Sequence, residues 1–323
     1  MPVLSVQDLK MYYLVERRGW VRAVDGVNFD LEKGEALGLV GESGCGKSSL
    51  GITILRILPF NARIFGGKVV LEGKDILQMP EDKFRKEIRW KKISMVFQGA
   101  MNALNPVMRV GDQIAEAILL HEDVSRQEAL ERARNLLKLV GIDPSRANSY
   151  PHEFSGGMRQ RAMIAMALAC NPSVMIADEP TTALDVIVQA QILKLIKDIQ
   201  RRLGISTILV THDLSIVADL CDKVAVMYAG KIVELGPAEK IYYRPLHPYT
   251  AKLLGAVPSV KGKRRRLEFI PGVPPDLLYP PPGCRFHPRC PYAEEICKKE
   301  EPPMKEVNGV KVACHRVEEL WNL

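Results

Sequence analysis

Residues 41–48 read Gly-Glu-Ser-Gly-Cys-Gly-Lys-Ser, the spacing G-x-x-x-x-G-K-[ST] that suits phosphate. Gly41, Gly44 and Gly46 lack a Cβ, so the backbone there can curl around an anion with its N–H groups turned inward. Ser43, Cys45 and Ser49 complete that turn. Lys47 is placed to reach the β- and γ-phosphates of a nucleoside triphosphate, and the Ser48 hydroxyl to ligate Mg²⁺. The expected ligands are therefore a nucleoside triphosphate and Mg²⁺.

Further candidates follow apolar runs. Residues 93–97 lead to Gln98, either a simple polar residue at a strand end or an amide beside the Mg²⁺ and the attacking water. Residues 174–177 lead to Asp178 and Glu179. An aspartate at a strand end can hold Mg²⁺, and the next carboxylate can polarise the nucleophilic water. Residues 207–210 lead to His212, on the carboxyl edge of the sheet where open α/β folds bind ligands. Ser155, Gly156 and Gly157 open a helix and make a second anion site, and Asp185 stands before a helix over 186–203. Tyr12 and Tyr13 suit either stacking on a base or half-buried packing in a strand.

A last set lies near the C-terminus. Cys284, Cys290, Cys297 and Cys314 are spaced C-x5-C-x6-C-x16-C, in a proline-rich tail with few apolar residues. A tail of that size usually needs a staple, and a reducing compartment disfavours disulfides. Paired zinc ligands typically have two to four residues between them, so the wider spacing points to one iron–sulphur cluster, [4Fe–4S]. Zn²⁺ is the alternative, with His287 and His315 available to a mixed site.

These residues need elements to position them. The run 36–40 reads as a buried strand feeding the glycine turn, followed by a helix over 47–58. Residues 3–31 alternate as strands, with a further strand at 68–71. Between 99 and 170 the pattern is helical: Ser125 and Glu128 make a capping box, and apolar residues recur at Ala129, Ala133, Leu136 and Leu137 until Gly141. Residues 224–228 and 231–235 read as a hairpin around Ala229-Gly230. Beyond Gly236 come a basic run at 261–266, expected as a solvated connector, and six prolines within 271–282, expected as an extended linker.

Composition agrees with a large α/β domain plus a smaller one: 323 residues, 47% hydrophobic, 26% charged. No apolar run is long enough for a membrane span, and the N-terminus reads directly into a strand rather than a signal peptide. The net charge of +7 selects no partner by itself.

With these residues in order, the chain resembles the ATPase subunit of an ABC transporter over residues 1 to about 235. The resemblance implies an α/β ABC-type nucleotide-binding domain over 1–235, with a phosphate-loop core, an antiparallel β subdomain and a helical subdomain at about 99–170. A small Cys-containing extension follows over 236–323. It implies two cassettes paired head to tail, with Ser155, Gly156 and Gly157 completing the ATP site of the opposite subunit, and Tyr13 stacking on adenine. Met158 departs from the commonest signature, which has glutamine there. Phe-Ser-Gly-Gly-Met at 154–158, His-Pro-Tyr-Thr at 247–250 and the Cys-bearing tail are similar to the oligopeptide and dipeptide importer branch, and the tail also to nickel importers. Implied partners are two transmembrane permeases docking beside Gln98 through residues 100–110, a second ATPase subunit, identical or a sister, and an extracytoplasmic binding protein acting through the permeases. Nucleic acid is not among them. The implied location is the cytoplasm, on the inner face of the membrane. A DNA-repair or ribosome-acting ATPase of the same superfamily is disfavoured, because the stretch from Ser48 to Ser155 is too short for a coiled coil and only one cassette is present.

Overall fold

The computed structural model describes residues 1–99, 103–256 and 270–321. In chain order the strands and helices begin with β1 (Leu4–Val15), β2 (Gly19–Leu31), β3 (Ala36–Val40), α1 (Lys47–Ile54), β4 (Ala62–Leu71), β5 (Lys74–Asp75), α2 (Glu81–Glu87) and β6 (Ile93–Val96). The middle holds α3 (Val110–Leu119), α4 (Arg126–Leu139), α5 (Gly156–Ala167), β7 (Val174–Asp178), α6 (Val186–Leu203), β8 (Ser206–Thr211) and α7 (Leu214–Leu220). Last come β9 (Lys223–Tyr228), β10 (Lys231–Pro237), α8 (Ala238–Tyr243), α9 (Pro248–Gly255), α10 (Glu295–Lys299), β11 (Lys305–Val307), β12 (Val310–Val312) and α11 (Val317–Leu320). The basic run at 261–266 lies outside the described residues. No described helix is long and apolar enough to cross a membrane.

The chain forms two compact units. The first comprises Met1–Val3, Glu32–Glu35 and Gln78–Leu209. Here β6 and β7 run parallel in the register Ile93↔Val174 to Val96↔Ala177. Both strands are wholly buried, the polar Ser94 of β6 and Asp178 of β7 included, as fits a mostly apolar parallel pair. The Ser125 hydroxyl caps α4 by accepting from the Glu128 N–H, and Ala129, Ala133 and Leu137 bury one face. The α6 helix begins at an Asp185 cap and ends at Gly204, φ 63, in the left-handed conformation glycine favours.

The second unit comprises Leu4–Leu31, Ala36–Leu77 and Val210–Leu323. One antiparallel sheet runs in the order β2-β1-β4-β5, burying Leu4, Val6, Leu9 and Met11 from β1. In a second arrangement β3 lies parallel to β9, which pairs with β10 as a hairpin; β12 and then β11 extend it. The hairpin turns on Ala229, φ 48, and Gly230, φ 84, the positive pair that a tight hairpin of matching twist requires. The helix expected over 47–58 stops at Ile54, because Arg56 takes φ 53 and Pro59 disfavours helix before it.

The tail is not the coreless appendage its composition suggests. Phe286, 1% exposed, packs on Tyr228, Tyr249 and His247 at ring separations of 5.2, 5.4 and 5.8 Å. The tail thus borrows apolar surface from the body of this unit, and β12 adds backbone hydrogen bonds to β10.

Within the same unit Glu234 of β10 is fully buried. Its carboxylate accepts from the backbone N–H of Leu246 at 2.7 Å and of His247 at 3.0 Å. Burial outweighs those bonds and pushes the carboxyl from 4.5 up to about 7. Burial likewise holds the His247 imidazole down at about 3, so it stays neutral. A raised acid holds its proton longer when folded, so its contribution to stability is full below about pH 4.5 and lost as pH rises through 7. Glu234→Gln should therefore lose to wild type at about pH 5 and gain on it by about pH 8, a swing on the order of 3 kcal/mol in thermal or denaturant unfolding. A pH-independent difference between the two proteins would contradict the assignment.

Candidate functional site

The phosphate loop belongs to the second unit. It connects buried β3 to α1, and its glycines are dictated by crowding: a Cβ on Gly41 would lie 2.1 Å from the Met227 carbonyl oxygen, and one on Gly46, φ 108, 2.0 Å from that of Ala23. Lys47 is 5% exposed. Its Nζ donates to the carbonyls of Gly41 at 2.7 Å and Glu42 at 3.0 Å, curling the loop around the ammonium. Carbonyl dipoles, not a carboxylate, surround this buried cation, which fits a site meant for an anion. Ser43, Gly44 and Ser48 are exposed on the open side of the turn. Cys45 is buried, and burial pushes its thiol up despite the Lys47 ammonium. The glycine cradle, the lysine and the Ser48 hydroxyl at the first turn of α1 are the donor set that a triphosphate with Mg²⁺ requires.

Tyr13 and Ser49 are brought together, their hydroxyls 3.0 Å apart. Tyr12 is occupied otherwise: its ring stacks on Phe65 at 4.6 Å and its hydroxyl donates to Asp25 at 2.7 Å; burial, with that hydrogen bond, raises it to about 12. His212 is exposed just beyond β8.

The first unit holds the other candidates. The parallel register Val96↔Ala177 puts Gln98 and Glu179 side by side, each two residues further along. The Gln98 amide donates to the Glu179 carboxylate at 2.7 Å. Thr182 donates to the same carboxylate at 3.2 Å and to the Glu179 carbonyl at 3.1 Å. Glu179 takes φ 42, an uncommon conformation for a side-chain-bearing residue, and Asp178 before it is 3% exposed. Ser155 caps α5, accepting from the Met158 N–H at 3.3 Å. Gly156 begins the helix. A Cβ on Gly157 would lie 2.7 Å from Val188 of α6, so glycine permits this close approach. Asp185 is engaged as the α6 cap, accepting from the Val188 N–H at 3.0 Å.

The cysteine tail corrects an expectation. Cys284, Cys290, Cys297 and Cys314 do line one cavity, yet it measures about 20 Å³. That is the space of about one water, far below a cubane of iron and sulphur. Among the described residues no group of three or more His, Cys, Asp or Glu side chains is arranged to hold a metal ion. All seven cysteines are free thiols. Burial pushes Cys284 up to about 12 and Cys314 up to about 11, and raises Cys290. The iron–sulphur cluster is not supported, nor is zinc in its place. The staple is the aromatic packing around Phe286 and two buried arginines, Arg285 and Arg289, that clustering of cysteines could not reveal.

An α/β chain with a buried lysine in a glycine cradle ahead of a helix is a nucleotide-binding protein of the phosphate-loop class. The chain belongs to the ABC transporter family, as an ATPase that uses ATP and Mg²⁺: residues 24–182 match that family, and residues 233–297 match the oligopeptide/dipeptide transporter, C-terminal region. It is 51% identical to a probable peptide ABC transporter ATP-binding protein, y4tR, of Sinorhizobium fredii, over 99% of this chain and 97% of that one. It is 51% identical to the dipeptide transport ATP-binding protein DppD of Bacillus subtilis (93% and 90% covered) and 48% to the oligopeptide transport ATP-binding protein OppD of Escherichia coli (98% and 94%). Among solved structures it is similar to the ATP-binding cassette MJ0796 in a dimeric post-hydrolysis state with ADP and phosphate, with TM-score 0.64, 27% identity, and 73% of this chain and 99% of that one covered. It is also similar to cbiO1 of Clostridium perfringens, with TM-score 0.65, 29% identity, and 75% and 91% covered. The α/β cassette expected from the motifs is thus the fold observed, including the antiparallel subdomain.

Proposed function

We propose that this chain is the ATP-hydrolysing subunit that powers import of dipeptides or oligopeptides. The observation that carries the substrate class is the match of residues 233–297 to the oligopeptide/dipeptide transporter C-terminal region, alongside full-length relatives named for peptide transport. That match favours peptide over nickel. The proposed division is a cassette over 1–235 and an extension over 236–323. The proposed partners are two permeases, a second ATPase subunit and an extracytoplasmic peptide-binding protein, and the proposed place is the cytoplasmic face of the membrane.

Within the cassette, Lys47 and the backbone of residues 41–49 would bind the phosphates, while Ser48, Gln98 and Asp178 would serve Mg²⁺. Glu179 would act as general base, oriented by Gln98, with His212 as a further polar group at the reacting end. Tyr13 would stack on the base. Ser155, Gly156 and Gly157 would face the nucleotide of the partner subunit, with Asp185 beside the shared interface. For the permeases, the exposed Val107 belongs to the proposed docking stretch 100–110, of which Ala100, Met101 and Asn102 lie outside the described residues.

The test is reconstitution of the full transporter in liposomes with its binding protein. ATP hydrolysis should rise above the basal rate on adding peptide-loaded binding protein and stay at that rate with nickel. Stimulation by nickel alone would overturn the substrate class.

A further inference from the structure

The tail of the second unit reaches the phosphate loop itself. Arg289, 7% exposed, forks onto the carboxylate of Glu42, with Nη1 donating to Oε2 at 2.6 Å and Nη2 to Oε1 at 2.9 Å. Its Nε donates to the Pro271 carbonyl at 2.8 Å, and the Tyr228 ring lies 5.9 Å from the guanidinium carbon. The hydrogen bonds to Glu42 raise the arginine above its ordinary value. Glu42 is the second residue of the loop, and every polar group it has is held. The Tyr249 hydroxyl accepts from its N–H at 2.8 Å, Lys47 donates to its carbonyl at 3.0 Å, and Arg289 takes the carboxylate. Four residues earlier, Arg285 grips the other side: it forms a buried ion pair with Asp25 and donates to the Ala229 carbonyl. The neighbouring Gly230 N–H donates to the Cys45 carbonyl at 2.8 Å.

A bidentate arginine–carboxylate pair fixes direction as well as distance, which a point charge does not. Here it joins residues far apart in sequence, one of them inside the phosphate cradle. We propose that Arg289 is a positioning residue for nucleotide binding: its fork on Glu42 lets the C-terminal extension hold the phosphate loop in its cradling shape. ATP affinity then depends on a tail that carries none of the nucleotide motifs. The proposal rests on residues 41–48 being the triphosphate site. Loosening the loop lowers the fraction of molecules ready to bind, and apparent affinity falls by that fraction.

The experiment titrates the full-length chain with a fluorescent ATP analogue and Mg²⁺, at a temperature where circular dichroism shows each variant folded. Arg289→Met and Glu42→Gln should each raise Kd about tenfold. Arg289→Lys should recover little of this, since it keeps the charge and loses the fork. The double variant should be no worse than either single one, because both remove the same interaction. Arg316→Met is the control for tail folding, as Arg316 is held within the tail by the carboxylates of Glu294 and Glu319, each at 2.9 Å, and by the Tyr292 carbonyl at 3.2 Å; it should leave Kd unchanged. Should Arg289→Met prove unstable, Glu42→Gln carries the test. Wild-type affinity in Glu42→Gln, additive effects in the double variant, or an equal loss in Arg316→Met would each overturn the proposal. A wild-type chain that fails to bind the analogue would instead sink the nucleotide site, and the proposal with it.

Discussion

Glu179→Gln is expected to reduce ATP turnover by roughly 10²-fold or more while leaving ATP affinity within about twofold. The residue directly follows β7, beside Gln98, and its carboxylate accepts from that amide at 2.7 Å and from the Thr182 hydroxyl at 3.2 Å. Those donors orient the group without removing its capacity to take a proton from water. Glutamine keeps the size and one accepting oxygen, so the neighbours stay in place while the proton acceptor is gone. The positive φ of Glu179 adds a constraint that the substitution leaves untouched, since both side chains meet the same penalty. Single-turnover hydrolysis and equilibrium nucleotide binding, measured on the same preparation, separate the two effects. Wild-type turnover in the variant would remove Glu179 from the chemistry. A matching loss of affinity would show that it holds nucleotide rather than activates water.

How much of this was legible in the sequence follows from the range of each interaction. The phosphate loop, the Ser125 cap and the hairpin at Ala229-Gly230 are each decided within a few residues, so local pattern suffices. The pairing of Gln98 with Glu179 was half legible. Each stood at the end of an apolar run, but their adjacency depends on the parallel register of β6 on β7, which no local rule sets. The β11 and β12 strands have three residues each, too short for alternation to register, and gain stability by pairing with β10 rather than by propensity.

The cysteines misled for a related reason. Four thiols in a proline-rich tail signal a staple when the tail must stabilise itself, but this tail is packed by residues outside it, chiefly Tyr228 and Tyr249 around Phe286. Arg285 and Arg289 carry no local signal of a structural role; what makes them structural is a partner some 250 residues away, in Asp25 and Glu42. Glu42 itself occupies a position that the phosphate-loop spacing leaves unspecified, so the motif gave no reason to single it out.

Lys47→Ala is expected to weaken nucleotide binding by about 10²-fold, near 2.7 kcal/mol, rather than to slow a bound complex. Three losses act in one direction. The cation that would face the β- and γ-phosphates disappears. The carbonyls of Gly41 and Glu42 lose the donor that curls the loop, at 2.7 and 3.0 Å. The small side chain also leaves unfilled space where Lys47 was buried, so the loop loses one of the groups that hold its shape. Arginine should not restore affinity, because its planar fork is larger than the ammonium and the site is closed by Cys45, whose sulphur lies 3.7 Å from Nζ. The contrast with Glu179→Gln is the discriminating feature: one variant should bind ATP and fail to cleave it, the other should fail to bind at ordinary concentrations and recover some turnover when ATP is raised. Calorimetric titration of both chains with ATP and Mg²⁺ reads this directly. Undiminished affinity in Lys47→Ala would separate the loop at 41–48 from the nucleotide.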